Sequence, residues 1–174
     1  CKVCKSMTAK GLTMLEGDFT HLKTPPLRSV PYDDQRTATL KDRWAIKQYT
    51  VNGVDVGQAA YSSYIGQSRD QDLEGRLARR TLHRLLNTTE QLEAWFRDFL
   101  KQRAIEKTVL YSGRQNQYRP LLRVAQQAKV PVEAMEYSGQ EANCVYEFYD
   151  TLPQDIDMLH RVIENFWAQF KGDA

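Results

Sequence analysis

The chain has 174 residues, of which 41% are hydrophobic and 26% are charged, and its formal net charge is +2. These values are typical of one globular domain with a single core. Because basic residues are interspersed with acidic ones, the chain lacks the basic patch of a nucleic-acid-binding protein, and we expect no nucleic-acid partner.

The sequence also shows no membrane span and no disulfide framework. Its apolar runs are all shorter than the roughly 20 residues that cross a bilayer. The three cysteines, Cys1, Cys4 and Cys144, are odd in number and lack regular spacing, which favours a reducing compartment and hence the cytoplasm. The Cys1-x-x-Cys4 pair has no matching second pair, so we predict no metal site.

The first part of the chain predicts one irregular segment and two short elements. Residues 16–43 contain three prolines among polar residues and predict an irregular surface segment. Residues 44–51 predict a strand that ends at an Asn52-Gly53 turn. Residues 58–65 predict a short helix that stops at Gly66.

Two helices are predicted next. A leucine stripe over residues 73–86 indicates a helix that ends at Asn87. Thr88 and Gln91 have capping-box spacing, so a second helix is predicted from Thr88 to Arg103, where it would cover one face of a sheet.

Residues 107–137 predict a strand, a loop, a helix and a second strand. The first strand covers residues 108–111, Pro120 fits the first turn of the helix, and the second strand covers residues 130–136. We therefore predict a single Rossmann-like α/β domain over residues 1–174, with three layers, a mostly parallel sheet and helices on both faces.

The end of the chain predicts a strand and a long helix. Residues 144–149 favour a short strand or an extended arm. From Ile156 to Phe170, apolar residues recur at helical spacing, which predicts a helix whose aromatic side chains lie in the core.

Polar residues follow both strands of the 107–137 unit. Ser112, Gly113, Arg114 and Asn116 lie between the first strand and the helix, where backbone N–H groups and a forked cation suit a phosphate, a carboxylate or a sugar hydroxyl. In a parallel sheet the second strand ends at the same edge, which adds Ser138-Gly139 to these candidate substrate-binding residues. A turn glycine beside a structural arginine explains the loop equally well.

Glu136 is the candidate catalytic residue at the end of the second strand. Burial there would raise the pKa of its carboxyl group towards the range of a general base that takes a proton from an acceptor hydroxyl. The alternative is a salt bridge from Glu136 to Arg114, which would join the two loops without chemistry.

These motifs resemble a family of surface and capsular polysaccharide glycosyltransferases of GT-B architecture. The runs Tyr111-Ser112-Gly113-Arg114, Tyr118-Arg119-Pro120 and Arg123-Val124-Ala125 are similar to its strand-Asn-Gly-Arg-helix signature. Upstream, Val54-Asp55-Val56-Gly57 followed by Tyr61-Ser62-Ser63-Tyr64 resembles the valine-aspartate-x-glycine and serine element.

The resemblance continues downstream. Met135-Glu136-Tyr137-Ser138-Gly139 occupies the place of the family's His-Glu-Arg-Gly strand end, and residues 152–167 resemble its closing helix. Ser112 replaces the usual asparagine, while Met135 and Tyr137 replace the usual histidine and arginine. Gly113, Arg114 and Glu136 remain as matching positions.

The resemblance implies that the chain is the N-terminal, acceptor-side half of a larger bacterial enzyme that transfers sugar from a nucleotide-sugar donor to a glycan acceptor. The donor would bind a C-terminal domain, without which this half is inactive, and no metal or other cofactor would belong to this half. The enzyme would be cytoplasmic, peripheral to the inner membrane. Two alternatives are a non-catalytic domain that binds a nucleotide, a glycan or a protein, and a regulatory domain that binds a small nucleotide.

Overall fold

The computed structural model describes residues 25–137, 146–153 and 155–170. Their helices are α1 (Asp34–Thr39), α2 (Arg43–Gln48), α3 (Val56–Ser68), α4 (Arg76–Gln102), α5 (Arg119–Gln127) and α6 (Ile156–Phe170). Their strands are β1 (Thr108–Tyr111), β2 (Val132–Tyr137) and β3 (Tyr146–Tyr149). Within these residues, no helix combines the length and apolarity that crossing a bilayer requires.

The β1-α5-β2 unit forms as the sequence predicts. β1 pairs in parallel with β2, with Thr108 opposite Val132, and Pro120 lies in the first turn of α5. The connecting helix packs on both strands. This unit fixes the position of the loop at residues 112–118, which contains most of the candidate site residues.

The predicted Rossmann-like three-layer fold is wrong. The described sheet has three short strands in the order β1-β2-β3, and β3 runs antiparallel to β2. Side chains alternate on β1, so that Thr108 and Leu110 are buried while Val109 and Tyr111 are 56% and 43% exposed. In the part of the chain that the structure describes, the second face of β1 is therefore open rather than covered by a helical layer.

Helix-to-helix packing provides most of the core instead. α4 packs on α3 and α5, and α2 packs on α3. The core side chains that these helices contribute include Ile46, Val56, Ala60, Tyr61, Tyr64, Leu82, Leu85, Leu86, Phe96, Leu122, Val124 and Ala125. The predicted packing of residues 88–103 on a sheet face is thus replaced by packing of one helix on others.

α4 is one helix of 27 residues, roughly 40 Å long, and it does not end at Asn87 as predicted. Asn87 is buried, and its side-chain oxygen accepts a hydrogen bond from Arg36 Nη1 at 2.7 Å. Thr89 donates its hydroxyl hydrogen to the carbonyl oxygen of Leu85. Asn87 thus has a partner in α1 and Thr89 has one in the preceding turn, so this polar stretch lies inside a continuous helix.

The segment before α3 also differs from its prediction. Residues 43–48 are helical rather than a strand, because Asp42 caps α2 by accepting hydrogen bonds from the N–H groups of Trp44 and Ala45. Within the predicted irregular segment 16–43, residues 25–33 lack regular structure but Asp34–Thr39 form α1. The Asn52-Gly53 turn is confirmed, with φ of 50° and 75°.

Asp55 and Gly57 determine how α3 begins. Asp55 occupies the N-cap of α3 without making a side-chain capping hydrogen bond. Gly57 lies where α3 crosses α2, and a Cβ atom there would lie 1.7 Å from the carbonyl oxygen of Ile46. The N–H of Gly57 donates to the carbonyl oxygen of Tyr49 at 2.9 Å. α3 also runs past Gly66, where the sequence predicted its end.

The apolar stripe of α6 was predicted to lie in the core, and this is wrong for most of its described side chains. Met158 is buried. The side chains that are more than half exposed are Ile156, Val162, Ile163, Phe166 and Trp167. Asp155 caps this helix by accepting from the N–H groups of Asp157 and Met158.

The buried His83 of α4 makes stability depend on pH. The N–H of Asp33 points at Nε2 at 3.2 Å, and the Asn87 amide nitrogen lies 3.1 Å from Nδ1. A protonated ring would thus face two hydrogen-bond donors. Burial lowers the pKa of His83, the charge of Arg36 lowers it further, and the opposing charges of Asp33 and Glu90 do not compensate.

We therefore expect the free energy of unfolding to fall as the pH drops below about 6.5, the pKa of an unfolded-state histidine. The unfolded chain binds more protons in this range, and the loss continues until the lower pKa of folded His83 is reached. Urea denaturation at several pH values measures how steeply the free energy of unfolding changes with pH. His83→Gln should reduce this dependence on pH, whereas His160→Gln, a change at an exposed residue, should not alter it. An unchanged dependence on pH in His83→Gln would contradict this assignment.

Candidate functional site

The loop after β1 turns sharply through two residues of left-handed backbone. Ser112 has φ 58° and Gly113 has φ 72°. The N–H of Ser112 donates to the carbonyl oxygen of Met135, which continues the pairing with β2. A Cβ atom on Gly113 would lie 2.9 Å from Leu122 Cδ1 and 3.1 Å from Leu152 Cδ2, so both packing and φ favour glycine here.

Asn116 connects this loop to α3. Its backbone N–H donates to Ser63 Oγ at 2.8 Å, and Ser63 Oγ donates to Asn116 Oδ1 at 2.9 Å. Both residues are buried. The reciprocal pair therefore fixes the loop against α3 and leaves Asn116 little accessible surface.

Asp55 holds two arginines of α5. Arg119 Nε donates to Asp55 Oδ2 at 2.7 Å, and Arg119 Nη2 lies 2.5 Å from the same oxygen. Arg123 Nε lies 3.5 Å from Asp55 Oδ1. Burial acts to raise the pKa of Asp55, but the hydrogen bond and charge of Arg119, with the charge of Arg123, outweigh it and lower that pKa.

Two neighbouring cavities meet at Arg114. The first, of about 240 Å³, is lined by Gln58, Ser62, Arg114, Arg119, Arg123, Leu152 and Asp155. The second, of about 380 Å³, is lined by Ser62, Ile65, Gly66, Arg69, Gln71 and Arg114. Because Ser62 and Arg114 line both cavities, we describe them together as the arginine groove, which contains Arg69, Arg114, Arg119 and Arg123.

The structure distributes the predicted site residues unevenly around this groove. Arg114 is exposed and lines the groove, whereas Ser112, at the start of the loop, is buried and lines neither cavity. Glu136 is half-buried on β2, directly after Met135, and it lines neither cavity of the groove. The ion pairs between described residues do not join Glu136 to Arg114. Ser138-Gly139 lies outside the described residues.

The other residues of the groove were not among the predicted site residues, although Ser62, Arg119 and Arg123 belong to the motifs that carry the family resemblance. Arg119 and Arg123 are four residues apart and lie on one face of α5, which is a visible signal in the sequence. Asp55 is 64 residues from Arg119, so their pairing emerges only from the fold.

The described residues contain no cluster of three or more His, Cys, Asp or Glu side chains placed to hold a metal ion. Comparisons of the chain with protein-family models, with curated proteins and with solved structures found no match.

Proposed function

We propose that this chain is the acceptor-side part of a glycosyltransferase that builds bacterial surface polysaccharides. The observation that supports this proposal is the convergence of its family-like motifs. Asp55 from the upstream element binds Arg119, and Ser63 binds Asn116 across 53 residues of sequence. Ser62 and Arg114 then line the same groove. The meeting of these separate motifs around one groove supports the proposal that they form one site.

In this proposal, Arg114 orients an anionic or hydroxyl group of the glycan acceptor by hydrogen bonding. An acceptor hydroxyl attacks the anomeric carbon of a nucleotide sugar held by a separate donor-binding domain, and the nucleoside diphosphate leaves. Glu136 takes the proton of that hydroxyl when the domains enclose both substrates. Nucleotide sugars as donors would place the reaction in the cytoplasm, at the inner membrane.

A second candidate function is binding without catalysis. Two features favour it: Glu136 does not line either cavity of the groove, and Ser112 replaces the family's asparagine. The chain would then bind a glycan, a nucleotide or a protein through Arg114 and its neighbours, and Glu136 would be structural.

Sugar transfer by the complete enzyme tests the first proposal. We expect Arg114→Gln to lower kcat/KM for the acceptor at least about tenfold, because a charge-assisted hydrogen bond contributes about 1.5–3 kcal/mol. Arg84→Gln, a change at an exposed α4 residue that lines neither cavity of the groove, is the matched control. Wild-type transfer by Arg114→Gln would overturn the proposal.

Glu136→Gln then separates the two candidates in the same assay. Loss of turnover with intact acceptor binding supports the enzyme. Loss of folding, seen by circular dichroism, supports the structural role, and full turnover with full binding removes Glu136 from catalysis.

A further inference from the structure

We infer that the arginine groove selects an acidic glycan, one whose sugars carry carboxylate groups. This inference rests on the proposed function and specifies its substrate class. The groove contains four guanidinium groups. Two carboxylates oppose them, Asp155 in the wall and Asp55 behind Arg119. The excess of two positive charges would attract an anion and would penalise a neutral ligand that left these cations unpaired.

The cations of the groove differ in how free they are to bind. Arg119 donates a hydrogen bond to Asp55, and Arg123 lies within ion-pair distance of the same carboxylate, so both cations are already partly paired. Arg69 and Arg114 are exposed, and neither makes an ion pair with another described residue. These two guanidinium groups are therefore available for paired hydrogen bonds to carboxylates of a ligand.

The Asp155 carboxylate does not neutralise the groove locally. It accepts hydrogen bonds from the backbone N–H groups of Asp157 and Met158 at the start of α6. Its charge is thus partly compensated by that helix end, and the arginines of the groove still outnumber the carboxylates.

The lining of the groove favours a carbohydrate chain over a nucleotide. Its two cavities, of about 240 and 380 Å³, share Ser62 and Arg114. Gln58, Ser62 and Gln71 supply hydrogen-bonding groups for sugar hydroxyls. Among the described residues that line the groove, no aromatic ring is present on which a base could stack.

Calorimetric titration of the full chain tests this inference with three probes. Tetragalacturonate carries four carboxylates, its methyl ester has the same sugars without the charges, and uridine diphosphate represents nucleotides. We expect tetragalacturonate to bind at least about tenfold more tightly than its ester, which corresponds to about 1.4 kcal/mol. Raising the salt concentration should weaken the binding.

Variants then place the binding in the groove. Arg114→Gln and Arg69→Gln should each weaken binding of tetragalacturonate several-fold, and Arg84→Gln should not. Because all three side chains are exposed, circular dichroism should show unchanged folding. NMR shifts at the amides of Ser62 and Arg114 on titration would map the site directly.

Several results would overturn the inference. These are equal affinity for the acid and its ester, absence of saturable binding, tighter binding of uridine diphosphate at the same amides, or an equal loss of tetragalacturonate affinity in all three variants.

The proposed function and the preference for acidic glycans can fail separately. If Arg114→Gln abolishes sugar transfer while the ester binds as well as the acid, the glycosyltransferase proposal stands and the preference for acidic glycans falls. If tetragalacturonate binds as expected but transfer does not depend on Arg114, the preference for acidic glycans stands and the glycosyltransferase proposal falls.

Discussion

Replacing Gly57 with alanine is expected to lower the free energy of unfolding by at least about 3 kcal/mol. The added Cβ atom would lie 1.7 Å from the carbonyl oxygen of Ile46 and 2.9 Å from Cβ of Tyr49. The first contact is with backbone, so α2 and α3 must separate, and the hydrogen bond from the Gly57 N–H to Tyr49 would be lost. Urea denaturation measures the effect.

Gly66→Ala provides the matched control within the same helix. Its Cβ atom would meet only Gln115 Nε2, at 3.9 Å. Since alanine favours a helix interior by about 0.5–1 kcal/mol over glycine, Gly66→Ala should preserve or raise stability. Similar losses in both variants would show that the crossing of α2 and α3 is not the reason for Gly57.

Replacing Asp55 with asparagine should cost roughly 2–4 kcal/mol, because it leaves Arg119 without its counter-charge. The Arg119 side chain is only 12% exposed, whereas Asp55 is 26% exposed and therefore partly screened by water. The change should also weaken ligand binding in the groove, since Arg119 and Arg123 lose the group that holds them. Urea denaturation and the tetragalacturonate titration measure the two effects.

A double-mutant cycle isolates this interaction. Asp55→Asn combined with Arg119→Gln should lose less stability than the sum of the single variants. Asp98→Asn, which breaks the exposed pair with Lys101, should cost at most about 1 kcal/mol of stability.

The contribution of Asp55 to stability should also depend on pH. Because its pKa is lowered in the folded state, this contribution is present above about pH 3.9 and is lost as the pH falls through the folded-state pKa. If Asp55→Asn still lowered the free energy of unfolding at a pH below the folded-state pKa of Asp55, the ion pair with Arg119 would not be the cause of the loss.

The sequence predicts local structure where neighbouring residues determine it. The β1-α5-β2 unit follows from two short apolar runs and Pro120, and the Asn52-Gly53 turn follows from its dipeptide. The break at Asn87 fails because the partner of that side chain is Arg36, 51 residues away. Local signals cannot include such a partner.

The fold class fails for a related reason. One parallel β-α-β unit is compatible with a large parallel sheet, but strand direction beyond it depends on distant pairing, and β3 is antiparallel. Among the groove residues, Arg114 is predictable because it directly follows a strand and a turn glycine. Arg69 reaches the groove, and Asp55 reaches Arg119, only through the packing of α3 beside α5.

The unusual role of Asp55 at the start of α3 also bears on which residues should vary together among relatives of this chain. It occupies a helix start where an aspartate side chain ordinarily contributes about 1 kcal/mol by capping, yet its carboxylate binds Arg119 instead. Serine or threonine there would leave the arginine without its counter-charge. A relative without a carboxylate at this position should therefore also lack the arginine of position 119, because an unpaired and largely buried guanidinium group would destabilise the fold.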